Sequence, residues 1–190
     1  MKKKAIAVFI SGRGSNLKSI IKACSDNDFP GYVSIVISDN KYAEGLKHAK
    51  QNNIDHKIFE LNKFDSSELF DNAIINDLSE REIDLICLAG YMRILSKEFI
   101  NNFQNNILNI HPSLLPKFKG LNTHKRAIES RETKSGCTVH YVNEELDGGK
   151  IVEQKEVAIL RNDTPKSLSE KILKIEHKLY PEVIKKVLTI

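Results

Sequence analysis

Cysteine is scarce in this 190-residue chain: Cys24, Cys87 and Cys137 are the whole complement, and they lie far apart. An odd, scattered count argues against a disulfide framework and offers no metal-ligand spacing. Cys87 falls inside an apolar run, where a thiol is buried and inert. Long apolar runs are missing as well, and nothing approaches the roughly 20 apolar residues of a membrane helix. Lys2-Lys3-Lys4 followed by apolar residues 5–10 has the outline of a secretion signal. The run is too short and Ser11-Gly12-Arg13 interrupts it, so it reads as a first strand of a cytoplasmic protein. Internal repeats, low-complexity stretches and linkers are absent, which leaves one domain over residues 1–190, long enough for a sizeable core. A strong excess of one charge is also absent: 29 Lys and Arg against 25 Asp and Glu give +4, with the lysines spread along the chain. A nucleic-acid binder concentrates such charge on a stripe. The balance here reads first as a solvated surface, and a small anionic substrate would explain it as well as a polynucleotide would.

What is present is a soluble, globular composition, 41% hydrophobic and 28% charged. Apolar runs at 5–10, 32–37, 56–59 and 84–88 read as strands, alternating with helical patterns near 15–25, 42–52 and 66–79. That order predicts an open, twisted, mostly parallel α/β sheet with helices on both faces. Right-handed crossovers then gather the strand ends on one ligand-binding edge. The second half predicts a short strand at 107–110, a loop over 112–120, a helix near 123–130 and two antiparallel strands at 136–142 and 150–159. A last helix opens at Thr164-Pro165, carries Leu168, Ile172, Ile175, Leu179 and Val183 as its core stripe, and should kink at Pro181.

Three motifs could carry chemistry. Gly12-Arg13-Gly14-Ser15-Asn16-Leu17 joins a strand to a helix, where free N–H groups and the positive dipole end receive a phosphate. Leu17 stands where a dinucleotide fingerprint needs a third glycine, which favours a single phosphate. The alternative is a plain tight turn with Ser15 as helix cap. Asn109 and His111 lie two apart, so on an extended segment both face one side and could together hold an oxyanion. The alternative is an ordinary polar loop leaving a strand. Asp147-Gly148-Gly149 reads as a turn, or as a carboxylate that raises the His111 pKa and keeps the ring protonated. His48, His56, His124 and His140 read as structural or exposed, and Glu176-His177 as a solvated helix face. Ser113 beside His111 lacks the nucleophile elbow of a hydrolase.

Together, and in order, these stretches resemble the phosphoribosylglycinamide formyltransferase family, folate-dependent enzymes of purine synthesis. The resemblance rests on residues 11–17, 88–95, 109–116, 136–140, 145–149 and Glu176-His177. It implies a Rossmann-like formyltransferase fold, with phosphate binding in the N-terminal half and the folate and catalytic residues in the C-terminal half. It implies formyl transfer from 10-formyltetrahydrofolate to the amine of glycinamide ribonucleotide, without a metal. Asn109, His111 and Asp147 correspond to the catalytic trio, Gly14, Ser15 and Asn16 to the phosphate cradle, and Glu176 to a ribose contact. Met92, Arg93, Ile94 and Leu95 correspond to the folate pocket together with Asn109, Asn143, Glu144, Glu145, Leu146 and Asp147. The implied partners are those two small molecules, with no nucleic acid or membrane, for a monomer or homodimer.

Two positions depart from the resemblance. Ser67 stands where some members have an arginine that contacts the folate tail, a role that could pass to a lysine such as Lys63. Asn122 stands where members often have histidine. Both bear on affinity and leave the trio intact. Three rivals remain at this stage. A methionyl-tRNA formyltransferase would be expected to continue past Ile190 into a tRNA domain. A formyltetrahydrofolate hydrolase would be expected to carry a regulatory domain before the first strand. A non-catalytic phosphosugar-binding module would need the glycine loop alone.

Overall fold

The computed structural model describes residues 2–189. Seven strands form one sheet in the order β3-β2-β1-β4-β5-β6-β7. They are β1 Lys4–Ile10, β2 Gly31–Ser38, β3 Asp55–Ile58, β4 Leu85–Leu88, β5 Ile107–His111, β6 Lys134–Tyr141 and β7 Ile151–Ala158. The first five pair in parallel, and β6 and β7 are antiparallel to their neighbours, as expected. The helices are α1 Ser15–Cys24, α2 Leu46–Gln51, α3 Ser67–Ser79, α4 Lys97–Asn102, α5 Thr123–Glu129 and α6 Pro165–Thr189. No helix among the described residues is long and apolar enough to cross a membrane.

The two-residue period of β1 feeds two cores. Ile6, Val8 and Ile10 face the layer of α1, α2, α5 and α6, while Ala7 and Phe9 face α3 and α4. Both faces being covered explains why β4 and residues 5–10 of β1 are apolar throughout. Each fully buried Ile, Leu or Phe contributes about 1.5–3 kcal/mol. The alternation matters most in β5: Leu108 and Ile110 enter the first core, and Ile107 the second. Asn109 and His111 continue the Ile107 side beyond the apolar layer. Behind them the buried Tyr180 hydroxyl lies 3.0 Å from the carbonyl oxygens of both Leu88 and Leu108, tying the ends of β4 and β5 to α6.

Three details differ from the sequence reading. The helix expected over 42–52 begins at Leu46, because residues 39–45 form turns, with the Asn40 side chain accepting from the Tyr42 N–H at 2.9 Å. Helix α4 has no counterpart among the expected elements. It is six residues long, too short for periodicity to register, although Ser96 caps it by accepting from the Phe99 N–H at 3.1 Å. Helix α6 runs unbroken through Pro181 to Thr189, opened by reciprocal bonds between Thr164 and Ser167.

Candidate active site

The strand order reverses between β1 and β4: the chain moves outward from β1 to β2 and β3, then returns to β4 on the other side of β1. The C-terminal ends of β1 and β4 therefore flank a switch-point crevice. The loops leaving them interlock: the Ser11 N–H donates to the Gly90 carbonyl at 3.1 Å, and the Met92 N–H donates to the Ser11 hydroxyl at 2.8 Å. The end of β5 adjoins this crevice, with Leu88 and Asn109 in register.

On the β1 side, Gly14 is the N-cap of α1, in the left-handed region at φ 69, and no side chain caps the helix. Ser15 is the first helical residue, so the reading of Ser15 as cap does not hold. The uncapped first turn leaves backbone N–H groups open to an anion. Asn16 is buried, and its amide donates to a Glu176 carboxylate oxygen at 2.7 Å, while its own Oδ1 has no partner. Glu176 is buried rather than on a solvated face. Its spacing from Ile172 and Leu179 puts it on the core stripe of α6, a signal the sequence carried. Burial pushes the Glu176 carboxyl above its ordinary pKa, and the Asn16 donation offsets this only in part. The folded chain thus holds this proton more tightly than the unfolded chain, and stability is lost as pH rises through the folded pKa. Glu176→Gln is expected to raise the Tm by a few degrees at about pH 8, with the gain fading toward the ordinary carboxyl pKa. Thermal melts across pH check this.

On the β5 side, Asn109, His111 and Asp147 do converge. Asn109 Nδ2 lies 3.5 Å from Asp147 Oδ1, and His111 Nδ1 lies 3.4 Å from Asp147 Oδ2. Asp147 adopts φ 48, and its Oδ2 accepts the Gly120 N–H at 2.8 Å. Gly149 follows because a Cβ there would fall 1.8 Å from the Tyr141 carbonyl oxygen. The Phe118 carbonyl can only accept, so the proton at its 2.9 Å contact belongs to His111 Nε2.

His140 is a site residue that the sequence reading set aside as structural or exposed. It is opposite Asn109 in the β5–β6 register, buried, with Nε2 3.1 Å from Asn109 Nδ2 and 3.6 Å from Asp147 Oδ1. Its Nδ1 donates to the Tyr141 carbonyl at 2.9 Å, which leaves Nε2 to accept from Asn109. His140 closes the 136–140 stretch of the resemblance, but antiparallel pairing across β5 and β6 is what brings it to Asn109, and register is not written in local sequence.

The electrostatics also correct the expectation for His111. Burial pushes its imidazole below the ordinary pKa, and the Phe118 carbonyl and Asp147 carboxylate oppose this without offsetting it. The ligand-free protein therefore holds His111 neutral near neutral pH. Burial pushes Asp147 up, but the pull of His140, the Gly120 N–H and His111 outweighs it, and the carboxyl lies below its ordinary pKa. The site thus pairs an ionised carboxylate with a neutral ring whose Nδ1 can take a proton. The long Asn109–Asp147 contact is the one a stronger acceptor would displace.

Apolar side chains exposed to solvent border this polar group: Met92 is 65% exposed, Ile94 75% and Leu146 51%. Leu95 is buried in the second core. The Arg93 guanidinium stacks over the Phe70 ring at 4.4 Å, with its Nε buried and unpartnered. The Asn143 side chain accepts from the Glu145 N–H at 3.1 Å, a local turn that shapes residues 143–147. Glu144 pairs with Lys97 at 3.1 Å and Glu145 with Lys119 at 2.6 Å, so the loop is tied to the start of α4 and to the loop that precedes α5. Ser67 is exposed at the start of α3, and Lys63 is paired with Glu60 at 2.8 Å. Asn122 occupies the N-cap position of α5 at φ 58 without a side-chain capping bond, in a conformation asparagine tolerates well. Among the described residues no group of His, Cys, Asp or Glu is arranged to hold a metal ion.

Residues 4–184 match the family described as formyl transferase. The chain is 47% identical over 182 residues to phosphoribosylglycinamide formyltransferase of Haemophilus influenzae, covering 96% of this chain and 86% of that one. It is 41% identical over 179 residues to the Escherichia coli protein of the same name, covering 94% and 84%. The crystal structure of phosphoribosylglycinamide formyltransferase from Brucella melitensis superposes with a TM-score of 0.95 at 43% identity, covering 98% of this chain and 96% of that one.

Proposed function

The chain belongs to the formyl transferase family, and from that premise we infer that it is a phosphoribosylglycinamide formyltransferase. It transfers the formyl group of 10-formyltetrahydrofolate to the amine of 5-phosphoribosylglycinamide, giving the N-formyl ribonucleotide and tetrahydrofolate. The observation that carries the reading is the meeting of Asn109, His111, His140 and Asp147 beside the uncapped start of α1 at one end of the sheet. One sheet joins both halves, which supports a single formyltransferase unit over the chain. A cytoplasmic location suits its two small-molecule substrates.

In this reading Gly14, Ser15 and Asn16 receive the phosphate, and Glu176 accepts from the ribose hydroxyls. The exposed Met92, Ile94 and Leu146 suit a flat ring system laid against them. The backbone of 92–95 and 143–147 supplies its polar contacts, with Asn109 and Asp147 at the reacting end. The folate supplies an activated formyl group on an amine leaving group. Asn109 exchanges its long contact to Asp147 for the developing oxyanion. His111 enters neutral and takes the amine's proton at Nδ1, directly or through a water. Asp147 Oδ2 and the Phe118 carbonyl then hold the imidazolium, which returns the proton to the departing nitrogen. The bond to the substrate amine forms first and gives the tetrahedral oxyanion, its collapse breaks the bond to the folate nitrogen, and one proton passes from the amine to that nitrogen. A donor placed at an oxyanion contributes about 3–4 kcal/mol, and holding two reactants in register contributes much of the rest. His140 fixes the Asn109 amide.

The test is release of deformylated folate, followed by absorbance, with and without glycinamide ribonucleotide. Release that requires the ribonucleotide is expected. Release without it would make the chain a hydrolase, and no release a phosphosugar-binding module. Release that requires methionyl-tRNA instead would make it the other transferase.

A further inference from the structure

The loop ahead of α1 is held by neighbouring segments. Residues after β2 grip it from the side. The Asn40 amide donates to the Ser11 carbonyl at 3.1 Å, and the Gly45 N–H donates to the Gly12 carbonyl at 3.0 Å. Asn40 is itself set by Ser38, whose hydroxyl donates to the Asn40 carbonyl at 2.9 Å and accepts the Asn40 N–H at 3.2 Å. The two backbones then touch at a pair of glycines. A Cβ on Gly45 would fall 2.8 Å from Gly14 Cα and 2.6 Å from Ile10 Cδ1, and a Cβ on Gly14 would fall 2.5 Å from Gly45 Cα. Gly45 has φ −58 and ψ −24, a conformation open to any residue, so only the close approach requires glycine there.

These contacts fix the direction of two peptide planes. In a trans peptide the N–H points opposite to the C=O. Drawing the Ser11 and Gly12 carbonyls toward Asn40 and Gly45 turns the N–H groups of Gly12 and Arg13 the other way. It also keeps two carbonyl dipoles from turning toward an anion at the helix start. We propose that Asn40 and Gly45 are positioning residues for the phosphorylated substrate, holding the loop 11–14 in the register that lets the start of α1 receive its phosphate. The inference rests on the reading of Gly14–Asn16 as the phosphate cradle.

Steady-state kinetics of purified Gly45→Ala and Asn40→Ala, with inorganic phosphate as a competing probe, test it. Both variants are expected to raise KM for glycinamide ribonucleotide roughly tenfold or more and to weaken phosphate inhibition in parallel. KM for the formyl folate should stay within about twofold, the mark of a lesion confined to one substrate. Should Gly45→Ala fail to fold, Asn40→Ala still decides the matter, because it removes the contacts to the Ser11 carbonyl and the Tyr42 N–H without introducing an overlap. An unchanged ribonucleotide KM, or an equal rise in both KM values, in a folded variant overturns the proposal. If phosphate competes equally well in wild type and variants, the side grip alone is wrong. If phosphate does not compete in wild type, the cradle reading falls, and this inference with it.

Discussion

His111→Ala is expected to lower kcat by about a thousandfold or more, with both KM values close to wild type. In the proposed mechanism the ring accepts a proton while an oxyanion forms beside it. Burial keeps it neutral in the free protein, so it is ready to take the amine's proton. Its loss removes an interaction that strengthens only as the transition state is reached, which lowers kcat without raising KM. The structural cost is the 2.9 Å bond to the Phe118 carbonyl and a small cavity, roughly 1–3 kcal/mol, too little to unfold a domain of this size. Circular dichroism and a melt of the purified variant establish that it is folded. Turnover within about tenfold of wild type in that folded variant would remove His111 from the proposed chemistry.

Asp147→Asn is expected to cost about as much in kcat, for a different reason. The substitution keeps an oxygen for the Gly120 N–H, which lies 2.8 Å from Asp147 Oδ2. It loses the negative charge that the imidazolium needs once His111 is protonated, and loss of such a charge costs on the order of a thousandfold to ten-thousandfold. In the proposed mechanism the carboxylate acts through the ring, so the double variant should be no slower than the slower single variant. Independent effects that multiply would instead give Asp147 a contact of its own with the reacting atoms. Ring-proton NMR supplies a second readout. In wild type the His111 titration should lie below the ordinary histidine value of 6.5, and removing the Asp147 charge should move it further down. Stability responds as well, because Asp147 has a depressed pKa in the folded chain. Its contribution is present above the unfolded carboxyl pKa and is lost as pH falls through the folded value. The Asp147→Asn variant lacks this acid-side loss.

The central strands and their two buried faces were legible because burial on two sides demands apolar residues at every position. Ile6 to Ile10 and Leu85 to Leu88 meet that demand without exception. The shared face of Asn109 and His111 was legible for an equally local reason, the two-residue period of an extended segment. Gly14 was legible as a loop glycine, and the structure adds its left-handed φ and the glycine it touches. Helix α4 was not legible, because six residues are too few for a period to emerge.

Which polar residues stand at the strand ends, and on which face of an extended segment, is a local property that the amino-acid order settles. Who meets whom is settled by packing between distant segments. His140 reaches Asn109 through the register of two antiparallel strands, and Glu176 reaches Asn16 across helices 160 residues apart in the chain. Packing also sets the charge state of His111. A carboxylate neighbour taken alone raises an imidazole pKa, but desolvation depends on how many atoms of the whole fold close over the ring. Here that burial outweighs the neighbour.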